Sequence, residues 1–273
     1  MAHTIDRELW NMAAPQARWS ALLEMLTRDG RIEVEAAAEE LRVSAATIRR
    51  DLDELARQQM VTRTHGGAVI NAIAYDLPLR YKAARNAPEK ERIAHAAAGL
   101  VKAGAVVGLN GGTTTTEVAR ALATRADLSS GGAETAVTVV TNALNIANEL
   151  VVRRHVKLVV TGGVARPASY ELIGPLATEL LAEIALDQVF IGVDAFDVAH
   201  GATAHHEGEA SINRALARRA QQVVAVADSS KLDRRAFARI CPVEDIDVLV
   251  TDKAASDELT ESFAAAGVKV IRA

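Results

Sequence analysis

Seven short apolar runs within residues 105–273 restrict the fold more than any other feature of this sequence. They read "AVVGLN" (105–110), "VTVVT" (137–141), "VKLVVTG" (156–162), "DQVFIGVD" (187–194), "VVAVAD" (223–228), "DVLVTD" (247–252) and "VKVIRA" (268–273). A strand with one wet face alternates apolar and polar residues. These runs are nearly continuous, so both of their faces must be covered. The stretches between them are helical in period, and strands alternating with helices predict a C-terminal α/β domain with a mostly parallel sheet. With 273 residues, 49% of them apolar, the chain has material for that core and for a second domain. At 3% aromatics the core is built from Ala, Val, Leu and Ile.

Ligands of such sheets gather at the C-terminal ends of the strands. The first end is "LNGGTTTTE", residues 109–117, leading into a helix. Gly111, Gly112, Thr113, Thr114 and Thr115 would offer backbone N–H groups and hydroxyls at the positive end of a helix dipole, which suits a phosphate. The stretch is neither a Walker loop nor a G-x-G-x-x-G turn, and threonine is also a common helix cap. Asn142 follows the second run, Gly162, Gly163 and Arg166 the third, Asp194 the fourth and Lys231 the fifth. Singly, each could cap a helix, hold a turn or sit in water. Together they offer an amide, a carboxylate, a lysine and a phosphate cradle, which suits a polyol phosphate. "HGATAHHEGEASINRAL" adds His200, His205, His206, Glu207 and Glu209. Its histidines stand in a glycine-containing loop, where solvated or capping roles are favoured over a metal site.

The N-terminal part follows another period. Trp19, Leu22, Leu23 and Leu26 recur at helical spacing before Gly30, and Val34, Ala37, Ala38 and Leu41 form the face of a second helix. Ser44 is a good N-cap for a third helix with the stripe Ile48, Leu52 and Leu55. That is helix-turn-helix spacing. Ala45, Ala46, Thr47, Arg49 and Arg50 then lie at the end that enters a major groove in such motifs, where small residues allow close approach and arginines reach phosphates or guanine edges. "MVTRTHGGAV" predicts a two-stranded wing turning at Gly66-Gly67, with Arg63 and His65 near its tip. The domain is expected to be an all-α winged helix-turn-helix. Any three-helix domain has such stripes, and "RRD" alone often marks a solvated face. The coincidence of tri-helical spacing, cap, paired arginines and wing favours DNA.

Net charge is −4, yet residues 42–70 hold five arginines against Asp51, Asp53 and Glu54. Contact with double-stranded DNA therefore falls to a few placed side chains, since no broad basic field exists. No apolar run reaches the roughly 18 to 20 residues of a membrane span, and the N-terminus lacks the apolar core of a signal peptide, so a cytoplasmic location is expected. The lone Cys241 excludes an intrachain disulfide and is expected to be a small, semi-buried apolar residue.

Residues 43–69, "VSAATIRRDLDELARQQMVTRTHGGAV", resemble the signature of the DeoR family of bacterial transcriptional regulators, whose winged helix-turn-helix carries "VS..TIRRDL..L" and ends in "R.HGGA". The resemblance extends over about residues 18–252. It includes "GGTT" at 111–114, "VTN" at 140–142, "GG...R" at 162–166, Asp194 of "GVD" and "DSSK" at 228–231. It implies a sensor domain similar to the sugar-phosphate isomerase and coenzyme A transferase fold, with a phosphorylated sugar or derivative as inducer. Two positions depart from the family pattern. Asn110 stands where Asp is common, and Ala195 stands where "GADG" has its last Gly. The "ATAHHEGEASINRAL" and "VVAVADSSK" segments are most similar to the amino-sugar branch.

The expected organisation is an N-terminal extension (1–17), the winged helix-turn-helix (18–70), a linker (71–88) and an effector-sensing α/β domain (89–273). Residues 129–135, "SSGGAET", are expected to form a short flexible loop. The expected function is that of a repressor of a carbohydrate-catabolism operon, acting as a homo-oligomer without cofactor, metal or catalytic residue. The alternative is an isomerase-like enzyme using Asp194, Glu209 and Lys231 for enediol proton transfer.

Overall fold

A computed structural model describes residues 15–58, 60–70, 79–82, 86–129 and 136–273, and the chain divides into two units, 1–85 and 86–273. In the first unit α1 (Pro15–Asp29) stops at Gly30, whose φ of +72° a side chain would disfavour. β1 (Arg31–Glu33), α2 (Val34–Glu40), α3 (Ala45–Arg57), β2 (Val61–Thr64) and β3 (Gly67–Ile70) follow. Leu22, Leu23 and Leu26 of α1 and Ile48, Leu52 and Leu55 of α3 are fully enclosed, and Ile32, Val34, Ala37, Met60, Val61 and Ala68 close the core around them.

Two expectations about the wing change. It has three antiparallel strands in the order β1-β3-β2, because β1 joins it with Ile32 inward between exposed Arg31 and Glu33. A three-residue strand is too short to show a period in sequence. The hairpin turn is His65–Gly66, and Gly67 already pairs with Thr64 and Glu33. Only Gly66 has positive φ, at +99°; a Cβ on Gly67 would lie 1.9 Å from the Ile32 carbonyl oxygen, so that glycine serves close strand approach.

Pro15–Asp29 takes in the last three residues assigned to the extension, while 1–14 lie outside the described residues. Within the span read as linker, α4 (Leu79–Lys82) packs on α1, and 71–78 and 83–85 lie outside the described residues, as do 130–135 of the expected loop.

The second unit opens with α5 (Ala87–Ala98), and Val101 just beyond it still reaches the core. The chain continues through β4 (Val106–Leu109), α6 (Thr113–Thr124), α7 (Ala126–Ser129), β5 (Val137–Thr141), α8 (Leu144–Leu150) and β6 (Val156–Val160). The hairpin β7 (Val164–Ala165) and β8 (Leu172–Ile173) precedes α9 (Pro175–Ala182), β9 (Leu186–Gly192), β10 (Ala195–Asp197) and β11 (Gly201–Ala204). α10 (Glu207–Arg219), β12 (Ala220–Val226), β13 (Ala238–Cys241), β14 (Val248–Thr251), α11 (Asp257–Ala265) and β15 (Lys269–Arg272) complete it.

All seven predicted runs form one parallel sheet in the order β15-β14-β12-β9-β4-β5-β6. One core, with Ile93, Leu122 and Ile146, lies on one face; the other, with Leu181, Leu216 and Phe263, lies opposite. Strands are added outward from β4 to β6, and then the chain returns beside β4 as β9 and builds the other way. The switch point between β4 and β9 opens a crevice at their C-terminal ends. A small antiparallel sheet, β10-β11-β13, was not foreseen: Gly201–Ala204 lie buried in β11 within the stretch read as a loop. Cys241 is buried in this sheet, and burial pushes its thiol up to about 12. Among the described residues no helix is long and apolar enough to cross a membrane.

Candidate functional site

The polar end of α3 is set by Ser44, whose Oγ accepts from the Thr47 amide at 3.1 Å and shares a hydrogen bond with the Thr47 hydroxyl at 2.8 Å. Both hydroxyls are thus engaged within the unit. Ala45 is half-buried, while Arg49 and Arg50 are exposed, on the face opposite Ile48, Leu52 and Leu55. Arg49 donates to Glu35 of α2 at 2.8 Å, and Arg63 of β2 donates to Asp53 of α3 at 2.8 Å and to the Gly67 carbonyl. Arg50 has no partner among the described residues. His65 and Gly66 occupy the exposed tip of the wing, and Gly67 stands buried behind it. The candidate DNA-contacting residues therefore share one unit, arranged around α3 and the β2–β3 hairpin.

In the second unit the glycine loop lies at the switch point. Asn110 is buried there, and its side-chain amide closes on Gly192 at the end of β9: Nδ2 donates to the Gly192 carbonyl at 2.9 Å and Oδ1 accepts from its N–H at 2.8 Å. An aspartate could accept but not donate, which gives this departure from the family pattern a structural reason. Gly112, at φ +146°, caps α6, and its carbonyl takes the hydroxyls of Thr115 (3.2 Å) and Thr116 (2.6 Å). Thr115 is fully buried, so it has a backbone amide to offer and no free hydroxyl. The amides of Thr113, Thr114 and Thr115 belong to the first turn, whose donors an α-helix leaves without internal acceptors.

The β7–β8 hairpin folds over the end of β5. The Leu172 amide donates to the Asn142 carbonyl, and the Arg166 amide to that of Glu171 at 2.8 Å. Glu171, which the sequence reading did not single out, is thereby buried against Gly111, where a Cβ would come within 2.3 Å of Glu171 Cγ. Asn142 Nδ2 donates to Glu171 Oε2 at 2.9 Å, and Arg166 pairs with Glu209 at 3.1 Å. Burial foremost, then the charge of Glu209, pushes the Glu171 carboxyl up to about 8; the Asn142 hydrogen bond opposes this, Asp194 adds to it and Arg166 opposes it. Asp194, Glu209 and Arg166 thus lie within electrostatic reach of one carboxyl. Asn142 is wholly enclosed, yet its Oδ1 has no hydrogen-bond partner among the described residues.

The remaining candidates fall around this cluster. Asp194 Oδ2 accepts from the His205 amide at 2.9 Å. Gly163 has φ +118°, and a Cβ there would strike the Ile173 carbonyl oxygen at 2.9 Å, so it permits the hairpin that carries Arg166 and Glu171. Lys231 ends the 3-10 turn Ser229–Lys231 after β12, one residue before Leu232, which bridges Phe196 of β10. His206 caps α10 by accepting from the Gly208 amide at 3.1 Å, and His200 pairs with Asp197. Glu171 had one signal in sequence: it is a lone acid beside the apolar pair Leu172-Ile173, where a polar neighbour would cost less.

Comparison with known proteins matches residues 18–74 to a DeoR-like helix-turn-helix domain and residues 85–253 to the DeoR C terminal sensor domain. The HTH-type transcriptional regulator GlpR of Haloferax volcanii is 35% identical over 94% of this chain and 97% of its own length. The glycerol-3-phosphate regulon repressor of Escherichia coli K12 is 30% identical over 86% of this chain and 90% of its own. Among solved structures, ribose 5-phosphate isomerase A of Methanocaldococcus jannaschii aligns over 54% of this chain and 55% of that one, at 22% identity and a TM-score of 0.40.

Proposed function

Since the chain belongs to the DeoR family of transcriptional regulators, we propose that it represses an operon of carbohydrate catabolism and leaves its operator when the second unit binds a phosphorylated sugar. The observation that carries the effector half is the buried, unpartnered Oδ1 of Asn142 beside the glycine loop. A phosphate accepts from the amides of residues 111–115 and from the hydroxyls of Thr113 and Thr114, while sugar hydroxyls donate to Asn142 Oδ1, Asp194 and Glu209. Arg166 and Lys231 supply positive charge. In the first unit Thr47, Arg49 and Arg50 reach base edges or phosphates and Arg63 and His65 lie along the backbone, with Ser44, Ala45, Gly66 and Gly67 shaping the surface. The names of its relatives, which include a glycerol-3-phosphate regulon repressor, support a phosphorylated effector.

Repression requires two or more copies whose readers match the spacing of operator half-sites in the cytoplasm, and the effector favours an arrangement in which that match fails. The reading assigns no catalytic step, cofactor or metal. Titration calorimetry over a panel of pentose, hexose and triose phosphates tests it. The Thr113→Ala, Thr114→Ala double variant loses effector affinity at least about tenfold, with operator affinity in the absence of effector within about threefold. Full effector affinity in a variant with a lowered Tm would make these threonines mere helix caps. Turnover of any member of the panel, abolished by Asp194→Asn, would replace the repressor with an enzyme.

A further inference from the structure

Asp51 follows Arg49 and Arg50 on α3, but its side chain turns inward and is 4% exposed. Arg18 of α1, itself 7% exposed, donates through Nε to Oδ2 and through a terminal nitrogen to Oδ1 at 3.0 Å; Trp19 Nε1 donates to Oδ1 at 2.8 Å. Two adjacent residues of α1 therefore grip one carboxylate of α3. A planar guanidinium fork meeting a carboxylate fixes an angle as well as a distance. The hydrophobic gain from burying Ile48, Leu52 and Leu55 is non-directional, and their packing sets the helix rotation less sharply than a bidentate pair does. Stability does not demand the pair, because apolar residues of similar volume often serve a core equally well.

Orientation is what α3 needs. A turn of about 20° about its axis moves groups at the helix surface, some 5 to 6 Å from that axis, by roughly 2 Å. A base-edge hydrogen bond tolerates only a few tenths of an ångström. We propose that Arg18 and Asp51, assisted by Trp19, are positioning residues for sequence readout: they hold α3 at the rotation at which Arg49 and Arg50 meet base edges, and so set which sequence is preferred. The inference rests on the reading of α3 as the DNA-contacting helix.

The test uses the full chain. Wild-type protein selects duplexes from a random pool. Affinities for the selected duplex and for a scrambled one are then measured at a single salt concentration for wild type, Asp51→Asn, Arg18→Met, Arg18→Lys and Arg50→Ala. In the Asp51 and Arg18 variants the ratio of selected to scrambled affinity falls about tenfold, while affinity for the scrambled duplex stays within about threefold. A purely structural role removes folded molecules and weakens both duplexes by one factor, leaving the ratio intact; that result, or unchanged affinity for both, overturns the proposal. Arg18→Lys keeps the buried charge and loses the fork, so it carries the same criterion if the other two do not fold. If wild type enriches no sequence, or Arg50→Ala leaves both affinities untouched, the assignment of α3 as reader fails first, and the proposal falls with it.

Discussion

Arg49 and Arg63 of the N-terminal unit meet Glu35 and Asp53 at the surface, whereas Arg166 of the C-terminal unit meets Glu209 in a cluster where Glu171 and Asn142 are buried. The Arg49–Glu35 side chains are 54% and 69% exposed, so that bond is screened and contributes little to stability. A DNA phosphate can displace its carboxylate at small cost. The part-buried pair is held by its surroundings before any ligand arrives, and its donors and acceptors are already aimed. One unit thus keeps its polar groups exchangeable and the other keeps them fixed. Arg18–Asp51 is the buried pair on the exchangeable side.

The sharpest way to break the contrast is to disrupt one unit alone. Gly67→Ala drives a Cβ into the Ile32 carbonyl and is expected to destabilise the N-terminal unit by about 3 kcal/mol. Hydrogen exchange should accelerate over the described part of residues 15–70 and stay unchanged over 136–273. Gly111→Ala meets a side chain instead of backbone, so its cost is roughly 1 to 3 kcal/mol and Glu171→Ala should relieve much of it. Urea unfolding of the two single variants and the double variant measures that coupling.

Glu171 also predicts a pH dependence. Between about pH 4.5 and pH 8 the native chain retains a proton that the unfolded chain has lost, so stability falls as pH rises through this window, by up to about 1.4 kcal/mol per unit. Glu171→Gln should flatten that part of the stability curve, and an unaltered slope would place the proton elsewhere.

The surface side yields smaller effects. Arg50→Ala, which breaks no internal pair, should weaken operator binding by roughly 1 to 3 kcal/mol in a gel shift. Arg63→Ala should lower affinity for all sequences alike and reduce the salt slope by about one unit. Smallest is Glu35→Gln. It releases Arg49 from a bond of roughly 0.2 to 1 kcal/mol, so affinity for a scrambled duplex should rise by no more than about fivefold, and only at low salt.

How far these features could be foreseen depended on range. The seven strands of the main sheet were legible because each is a continuous apolar run, and the three helices of the reader because each shows a period. β10, β11 and β13 were not: three- and four-residue strands pair through partners up to 39 residues apart, as in Ala202 with Cys241. Thr113 and Thr114 could be placed at a helix N-terminus from sequence, but the engagement of the Thr115 and Thr116 hydroxyls with the Gly112 carbonyl could not. Glu171 went unmarked because its burial comes from the hairpin docking on Asn142, and Asp51 was counted as surface charge because Arg18 lies 33 residues before it. Asn110 was visible as a departure, and its meaning appeared only with Gly192 opposite.

The order of strands in the main sheet has a consequence for how the chain is made. The β1-β3-β2 sheet and helices α1 to α3 lie within residues 15–70, while the central pair of the sensor sheet joins Val107 to Gln188 and Leu109 to Phe190. At translation rates of about 5 to 20 residues per second, the interval between Ile70 and Gly192 lasts roughly 6 to 24 seconds. Small helical domains fold in microseconds to milliseconds. Each nascent chain therefore carries a finished reader through most of its synthesis, well before the sheet that is to govern it can close its centre.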